Sequence, residues 1–241
     1  MNLNELEIIA DIGFESLKNN NTEAEDKSVR VYFRNIEAEL IKHILSADVV
    51  VGAIAWLTSY PVLDALAKAP NVSIIVQKED FLRPDMPHNM KPSKWKRALR
   101  EKYEKLKSGL DRYCFETILG EMSVCGDPSL DPIRCVGNHN ADQKPAFPRM
   151  HNKFLLFCNI KDGLRGDQEN PYHYDTVEPY GVWTGSFNFT QNATRSFENA
   201  LYLTDSKIVN AYLHEYSQIA ALSEPLNWAH EWVAPEWRIG T

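Results

Sequence analysis

The chain of 241 residues is poor in cysteine and has no long apolar run. Its four cysteines include no C-x-x-C pair, which argues against both a disulfide scaffold and a zinc knuckle. The longest apolar run, residues 49–57, has the length of a buried strand, well short of the ~20 residues of a membrane-spanning helix. The first residues also lack the basic start and apolar centre of a signal peptide. We therefore expect a cytoplasmic protein without a transmembrane segment.

The spacing of the cysteines along the chain also disfavours a metal site. Cys114, Cys125 and Cys135 precede His139 at long, irregular intervals. Structural zinc sites are typically built from closely spaced ligand pairs. We expect buried or half-buried thiols at these positions and no metal site.

Basic charge is scarce overall and concentrated in one segment. The formal net charge is −7, which excludes a protein that coats nucleic acid through a broad basic surface. Residues 83–112 nevertheless hold ten Lys or Arg against four Asp or Glu, a local net charge of +6. Two interpretations stay open: a solvated helix face that aids solubility, or a surface that steers a polyanionic substrate. The candidate substrate-binding residues are Lys94, Lys96, Arg97 and Arg100.

The middle of the chain alternates between strand and helix patterns. Residues 48–56, 62–68 and 71–76 read as strand, helix and strand, which predicts a parallel pair with a right-handed crossover. Asn35 is expected to cap a helix that begins at Ile36. Further strands are predicted at 115–124, 132–136, 150–159, 181–184 and 200–204. Apolar residues at helical spacing from Ile208 predict a closing helix.

The basic segment contains a predicted helix of its own. Ser93 is a suitable N-cap for a helix over 94–107. Helical spacing places four residues on its inner stripe: Trp95, Leu99, Tyr103 and Leu106.

Side chains suited to catalysis occur in two short motifs. On a strand, residues two apart point to one face, so His151 and Lys153 would present an imidazole and an ammonium side by side. Ser186 and Asn188 would repeat this arrangement with a hydroxyl and an amide. A nucleophile or acid–base group, a fixed cation and two neutral hydrogen-bonding groups suit a phosphodiester substrate.

Together with Glu198, these motifs resemble the signature of the phospholipase D superfamily, H-x-K-x4-D followed by G-S-x-N and a later Glu. The resemblance covers about residues 29–222 and is most specific over 183–203. Two departures stand out: Cys158 occupies the Asp position, and a hairpin's length is added between the motifs. Because position 158 is an odd number of residues from His151, a regular strand directs it to the opposite face. We interpret this as a rebuilt supporting position; an inactive relative is the alternative.

The resemblance implies an α/β fold with a mixed, largely parallel β-sheet flanked by helices. It divides the chain into an N-terminal arm at 1–27, a phospholipase D-like domain at 28–224 and a C-terminal tail at 225–241. Insertions into the domain are expected at about 78–130 and 161–180.

The resemblance also implies the chemistry of a metal-independent phosphodiesterase that needs no cofactor. His151 would be the nucleophile that forms a covalent phosphohistidine, and Lys153 would bind the phosphoryl oxygens. Asn188 and the Ser186 hydroxyl would complete the cradle. Glu198 would orient the imidazole, as carboxylates do for catalytic histidines.

Only one copy of the motif pair is present, although members of this family use two half-sites. A homodimer with its twofold axis through the active site would supply both. The leading interpretation of function is a nuclease that hydrolyses DNA or RNA. The alternatives are a phosphodiesterase acting on phospholipid headgroups, a weakened nucleic-acid-binding module, and an effector switched on by a regulatory protein partner.

Overall fold

The computed structural model describes residues 20–79, 82, 94–109, 113–115, 131–137, 150–165 and 172–226. Most of the predicted N-terminal arm, most of the first insertion and nearly all of the C-terminal tail lie outside these residues. The described residues form a single mixed sheet of ten strands with helices on both faces. The predicted α/β class is therefore confirmed.

The strands and helices fall largely where the sequence patterns predict them. The strands are β1 Thr22–Glu23, β2 Val29–Tyr32, β3 Val49–Ile54, β4 Asn71–Gln77, β5 Tyr113–Phe115, β6 Ile133–Val136, β7 Lys153–Arg165, β8 Tyr172–Gly185, β9 Ala200–Leu203 and β10 Glu224–Pro225. The helices are α1 Ile36–Ser46, α2 Tyr60–Lys68, α3 Lys94–Tyr103 and α4 Ser206–Ala221, with a 3-10 turn at Ala193–Arg195. None of the helices in the described ranges has the length and apolar character needed to cross a bilayer.

The sheet runs in the order β1-β2-β9-β8-β7-β3-β4-β6-β10, with β5 beside β8. The pairings β3–β4, β4–β6 and β5–β8 are parallel, and β3–α2–β4 forms the predicted parallel unit. The other six pairings are antiparallel, so the sheet is mixed as expected but less parallel than the resemblance implied. The reason is that β7 and β8 form a long hairpin, whose strands must run in opposite directions. The segment predicted as the second insertion forms the outer part of this hairpin.

Each face of the sheet has its own apolar core. On one face, Ile36 and Leu40 of α1 and Leu63 and Leu66 of α2 pack over the sheet residue Leu155. On the other face, α4 packs on alternate residues of the same strands. Each large aliphatic side chain that is fully buried in this way contributes roughly 1.5–3 kcal/mol. Continuous burial along β3 explains why this strand reads as an uninterrupted apolar run.

Two predictions of local structure are wrong. Asn35 occupies the N-cap position of α1 in the left-handed conformation, with φ 57°, and its side chain makes no capping hydrogen bond. Trp95 is 47% exposed, whereas Leu99, Tyr103 and Leu106 are buried as expected. α3 ends at Tyr103, where the phenol donates a hydrogen bond of 2.6 Å to the Leu57 carbonyl. The inner stripe is thus confined to the C-terminal part of the segment, which packs close to α2 and Leu57.

Candidate active site

Three neighbouring strands bring the two motifs to one edge of the sheet. β7 begins at Lys153 beside the end of the antiparallel strand β8, where Phe154 pairs with Thr184. β9 begins beside the same point, because Gly185 pairs with Ala200. The His-x-Lys segment, the Gly-Ser-x-Asn segment and the Glu-Asn pair that precedes β9 therefore adjoin one another.

His151 and Lys153 are in direct contact. The Lys153 Nζ atom lies 3.2 Å from Nδ1 of His151 and donates a hydrogen bond of 3.1 Å to the His151 carbonyl oxygen. An ammonium can only donate, so Nδ1 is the acceptor and the neutral ring carries its proton on Nε2. Burial lowers the pKa of Lys153, and the nearby Glu198 carboxylate opposes that shift. His151 is exposed, so its free edge is open to a ligand.

Trp56 and Glu79 form a second contact group around the imidazole. The Trp56 ring meets the His151 ring edge to face at 5.3 Å between centroids and 84° between planes. Its indole Nε1 donates to the Glu79 carboxylate at 3.0 Å. Sequence reasoning missed both residues. A positional signal was available: each stands two residues beyond the carboxyl end of a parallel strand, where ligands bind in open α/β sheets.

Ser186 and Glu198 are joined by a short hydrogen bond. The Ser186 hydroxyl donates to Glu198 Oε2 at 2.5 Å and accepts from the Asn199 backbone N–H at 3.1 Å. The Asn199 side chain in turn accepts from the Ser186 backbone N–H at 3.1 Å. These reciprocal bonds hold the turn that follows β8 against the residues that precede β9. In the isolated chain the Glu198 carboxylate is thus bound to Ser186, and its part in orienting His151 stays a prediction.

Asn188 is presented to the site by its two neighbours. Phe187 and Phe189 are fully buried in the core, and Phe189 O accepts from the backbone N–H groups of Thr58 and Ser59 at 2.8 and 2.9 Å. Asn188 between them is half-buried, and its Oδ1 atom is buried without a hydrogen-bond partner among the described residues. A buried amide without a partner costs free energy, ~1–3 kcal/mol. Rotation of the amide by 180° would place its NH₂ group there instead.

The four cations proposed for substrate binding lie on α3. Lys94 and Arg97 are exposed, and Lys96 and Arg100 are half-buried. The helix is anchored by the Tyr103–Leu57 bond and by an ion pair of 2.6 Å between Lys102 and Asp64 of α2. These anchors connect α3 to α2 and to the segment after β3, and they do not place the four cations against the motif residues. Their role in substrate binding stays a prediction.

Cys158 lies on the opposite face of β7 from the motif residues. It is fully buried in the core cluster under α4, and burial raises the pKa of its thiol. Cys135 on β6 is also buried, which raises the pKa of its thiol to about 12. Cys125 and His139 lie outside the described residues. The position that holds Asp in the family signature is therefore a core position here.

The motif residues lie together at one edge of the α/β sheet, which is the arrangement that the resemblance to the phospholipase D superfamily implies. No protein-family model matches the chain. The chain is 31% identical over 231 residues to "Uncharacterized protein L381" of Acanthamoeba polyphaga mimivirus. The aligned region covers 90% of this chain and 74% of the viral protein. The chain belongs to the same family as that viral protein.

Two solved structures resemble the chain more loosely. NucT from Helicobacter pylori is 16% identical with a TM-score of 0.44, over 86% of this chain and 97% of NucT. Nuc from Salmonella typhimurium, described as a phospholipase D family member, is 18% identical with a TM-score of 0.44, over 82% of this chain and 96% of Nuc.

Proposed function

We propose that the chain is a metal-independent phosphodiesterase, and specifically a nuclease, that cleaves DNA or RNA through a phosphohistidine at a site shared by two protomers. The observation that carries the proposal is the contact of 3.2 Å between Lys153 and His151, at the end of the sheet where the segment with Ser186 and Asn188 follows β8. A cation, a nucleophile and neutral hydrogen-bonding groups at one sheet edge match the needs of a phosphodiester.

Substrate binding must first move Lys153. In the resting arrangement the Lys153 ammonium donates a hydrogen bond to Nδ1 of His151. The ring proton is then on Nε2, so that nitrogen has no lone pair with which to attack phosphorus. The phosphoryl oxygens carry negative charge and compete for the ammonium. Once Lys153 has turned to them, the ring proton can move to Nδ1 and be held by a carboxylate, for which Glu198 is the candidate. The lone pair of Nε2 is then free.

Two displacements at phosphorus complete the reaction. In the first, Nε2 of His151 forms a bond to phosphorus while the bond to the leaving oxygen breaks, and that oxygen takes its proton from a general acid. In the second, a water molecule loses a proton to the same group and attacks phosphorus, and the N–P bond breaks. Lys153 and the Asn188 amide would stabilise the charge on the phosphoryl oxygens in both steps. The products are a phosphomonoester and an alcohol.

The described residues of the site supply no second histidine to act as the general acid. The described site contains one histidine, and a second His151 from a symmetric partner would provide the acid and base that the two steps need. His151 is exposed, which is compatible with a shared site. A histidine from a second protomer must be able to approach the same phosphate from outside the chain.

The test is hydrolysis by the purified full chain in excess EDTA. Substrates are single-stranded DNA, RNA, an anionic phospholipid vesicle and methyl p-nitrophenyl phosphate, a small diester without a base. We expect turnover of nucleic acid and of the small diester, with loss in His151→Ala of at least about 10³-fold. His214→Ala, which changes an exposed histidine on α4, is the matched control and should retain activity. Acid-labile, base-stable phosphate on the quenched protein would identify the covalent intermediate.

The other outcomes separate the alternatives. Turnover of lipid alone would favour the headgroup phosphodiesterase, and nucleic-acid binding without turnover would favour the weakened module. The shared site is tested independently by light scattering, where a monomer that remains fully active would contradict it. Mixing excess His151→Ala protein into wild type should reduce activity beyond simple dilution, because hybrid dimers contain only one nucleophile.

A further inference from the structure

A groove adjoins the catalytic candidates Ser186 and Glu198, between the segment that follows β2 and the residues that precede β9. It is open to solvent and shares two residues with the catalytic group. Its lining residues are Asn20, Phe33, Arg34, Ser186, Phe197, Glu198 and Asn199. A substrate longer than a single phosphodiester would extend into it from the reacting phosphorus.

Arg34 is held in this groove with unused hydrogen-bonding capacity. The residue is only 9% exposed, its Nη1 donates to the Phe33 carbonyl at 2.7 Å, and its Nε is buried without a partner among the described residues. Its backbone is fixed on both sides by Asn21, whose side chain bonds Arg34 N and O at 2.9 Å each. A guanidinium carries five N–H donors in a planar fork, so a fixed arginine that lines a groove suits an anionic oxygen ligand.

Phe197 supplies an aromatic surface beside that cation. Its side chain is 68% exposed, the largest exposure among the large apolar residues of the described chain. The Arg34 guanidinium carbon lies 5.6 Å from the centre of its ring. Phe33, 36% exposed, adds a second ring to the groove. Exposed aromatic rings beside a fixed cation are the arrangement by which proteins bind single-stranded nucleic acid: bases stack on the rings while the cation follows the backbone.

We infer that this groove is a nucleotide-binding subsite in which a base flanking the scissile bond stacks on Phe197 and the adjoining phosphate binds Arg34. The inference rests on the proposed nuclease function and extends it to single-stranded substrate, because bases in a duplex are not free to stack on protein. The Glu198 carboxylate keeps its negative charge while it accepts a hydrogen bond from the Ser186 hydroxyl at 2.5 Å, so the inference places the phosphate at Arg34 and not beside Glu198.

The experiment compares Phe197→Ala and Arg34→Gln with two matched controls. Leu45→Ala removes another exposed apolar side chain on α1, and Arg30→Gln removes an arginine of β2 that pairs with Glu23 at 2.6 Å. KM and kcat are measured for a single-stranded oligonucleotide and for methyl p-nitrophenyl phosphate. Binding of a fluorescent oligonucleotide to the His151→Ala background is measured by anisotropy, and thermal unfolding verifies that each variant is folded.

We expect both groove variants to weaken oligonucleotide binding and raise its KM by at least about fivefold, with small-diester turnover unchanged. Phe197→Tyr should retain binding because it keeps the ring. A duplex of the same sequence should compete poorly. Equal oligonucleotide affinity for Phe197→Ala and wild type would overturn the subsite even if the enzyme is active. If wild type hydrolyses nothing, the proposed function fails, and the anisotropy comparison still decides whether the groove binds single strands.

Discussion

Nζ of Lys153 lies 3.2 Å from Nδ1 of His151, and the same ammonium also binds the His151 carbonyl oxygen at 3.1 Å. Lysine thus fixes the imidazole tautomer in the resting chain. In the proposed mechanism Lys153 would have two successive functions, first holding the histidine in a form unable to attack and then binding the phosphate that draws it away.

Replacing Lys153 by Met should separate the two functions. Loss of the ammonium leaves Nδ1 without its donor, so the ring should become a mixture of tautomers, seen as altered ¹⁵N chemical shifts of His151. Hydrolysis of the small diester should fall by ~10²–10³-fold, because a preorganised charge on the phosphoryl oxygens is lost. Lys161→Met, in an exposed ion pair with Glu178 on the hairpin, is the control. Unchanged ¹⁵N shifts in Lys153→Met would show that the contact does not set the tautomer.

Trp56 is expected to position the imidazole rather than to take part in the reaction. Trp56→Ala removes the edge contact of 5.3 Å, and kcat for the small diester should fall about tenfold with little change in KM. Trp56→Phe keeps a ring and should recover part of that loss. Glu79→Gln keeps a carbonyl acceptor for the indole N–H and should be nearly neutral. A parallel rise in KM for Trp56→Ala would instead point to substrate contact.

The sequence predicted the motif residues of this site better than their surroundings. His151 and Lys153 lie two residues apart in one short motif, and this spacing predicted the contact that the structure shows between them. Trp56 lies beside His151 and Arg34 lines the groove, but both belong to segments far from the motifs in sequence. Their positions depend on contacts between distant segments, which short motifs do not reveal. The number of parallel pairings was overestimated because it was taken from the resemblance, and the long β7–β8 hairpin and the β3–β7 pairing are antiparallel.

Gly185 is a position where only glycine fits. Its φ is +148°, and a Cβ added there would lie 2.4 Å from the Asn199 carbonyl oxygen. Gly185→Ala should therefore push the Ser186 turn away from β9, lower stability by about 1–3 kcal/mol and reduce activity. Gly109→Ala is the matched control, since its nearest atom would be Asn71 Oδ1 at 3.4 Å. Denaturant unfolding and diester turnover measure the two effects. Equal stability of both variants would contradict the assigned strain.

His43 should make folding stability depend on pH. Its ring stacks on Tyr202 at 4.0 Å and lies close to Phe157 and Trp183, and burial lowers its pKa to about 4. Between pH 6.5 and 4 the unfolded chain binds a proton that the folded chain does not, so stability is full above this window and falls as pH decreases through it. Because the His43 ring is partly accessible to solvent, the expected loss of folding stability is about 1–2 kcal/mol.

Removing the His43 imidazole is the test. His43→Phe should remain folded, because an aromatic ring fits among its neighbours, and its unfolding free energy should depend less on pH between 4 and 6.5 than that of wild type. His214→Gln on the exposed face of α4 is the control and should retain the wild-type slope. Identical slopes in all three proteins would falsify the assignment.

Replacing Cys158 by Asp tests whether this position can hold the carboxylate of the family signature. Its side chain is fully buried among apolar residues under α4, on the face of β7 opposite His151. A carboxylate there would be desolvated without a partner, so Cys158→Asp should lower the unfolding free energy by about 2–4 kcal/mol. Cys158→Ala creates only a small cavity and should cost about 1 kcal/mol. Diester kcat measured well below each variant's melting temperature should be equal in both, because the position contacts no motif residue. A higher kcat for Cys158→Asp at undiminished stability would show that the surrounding core is built to hold a charge after all.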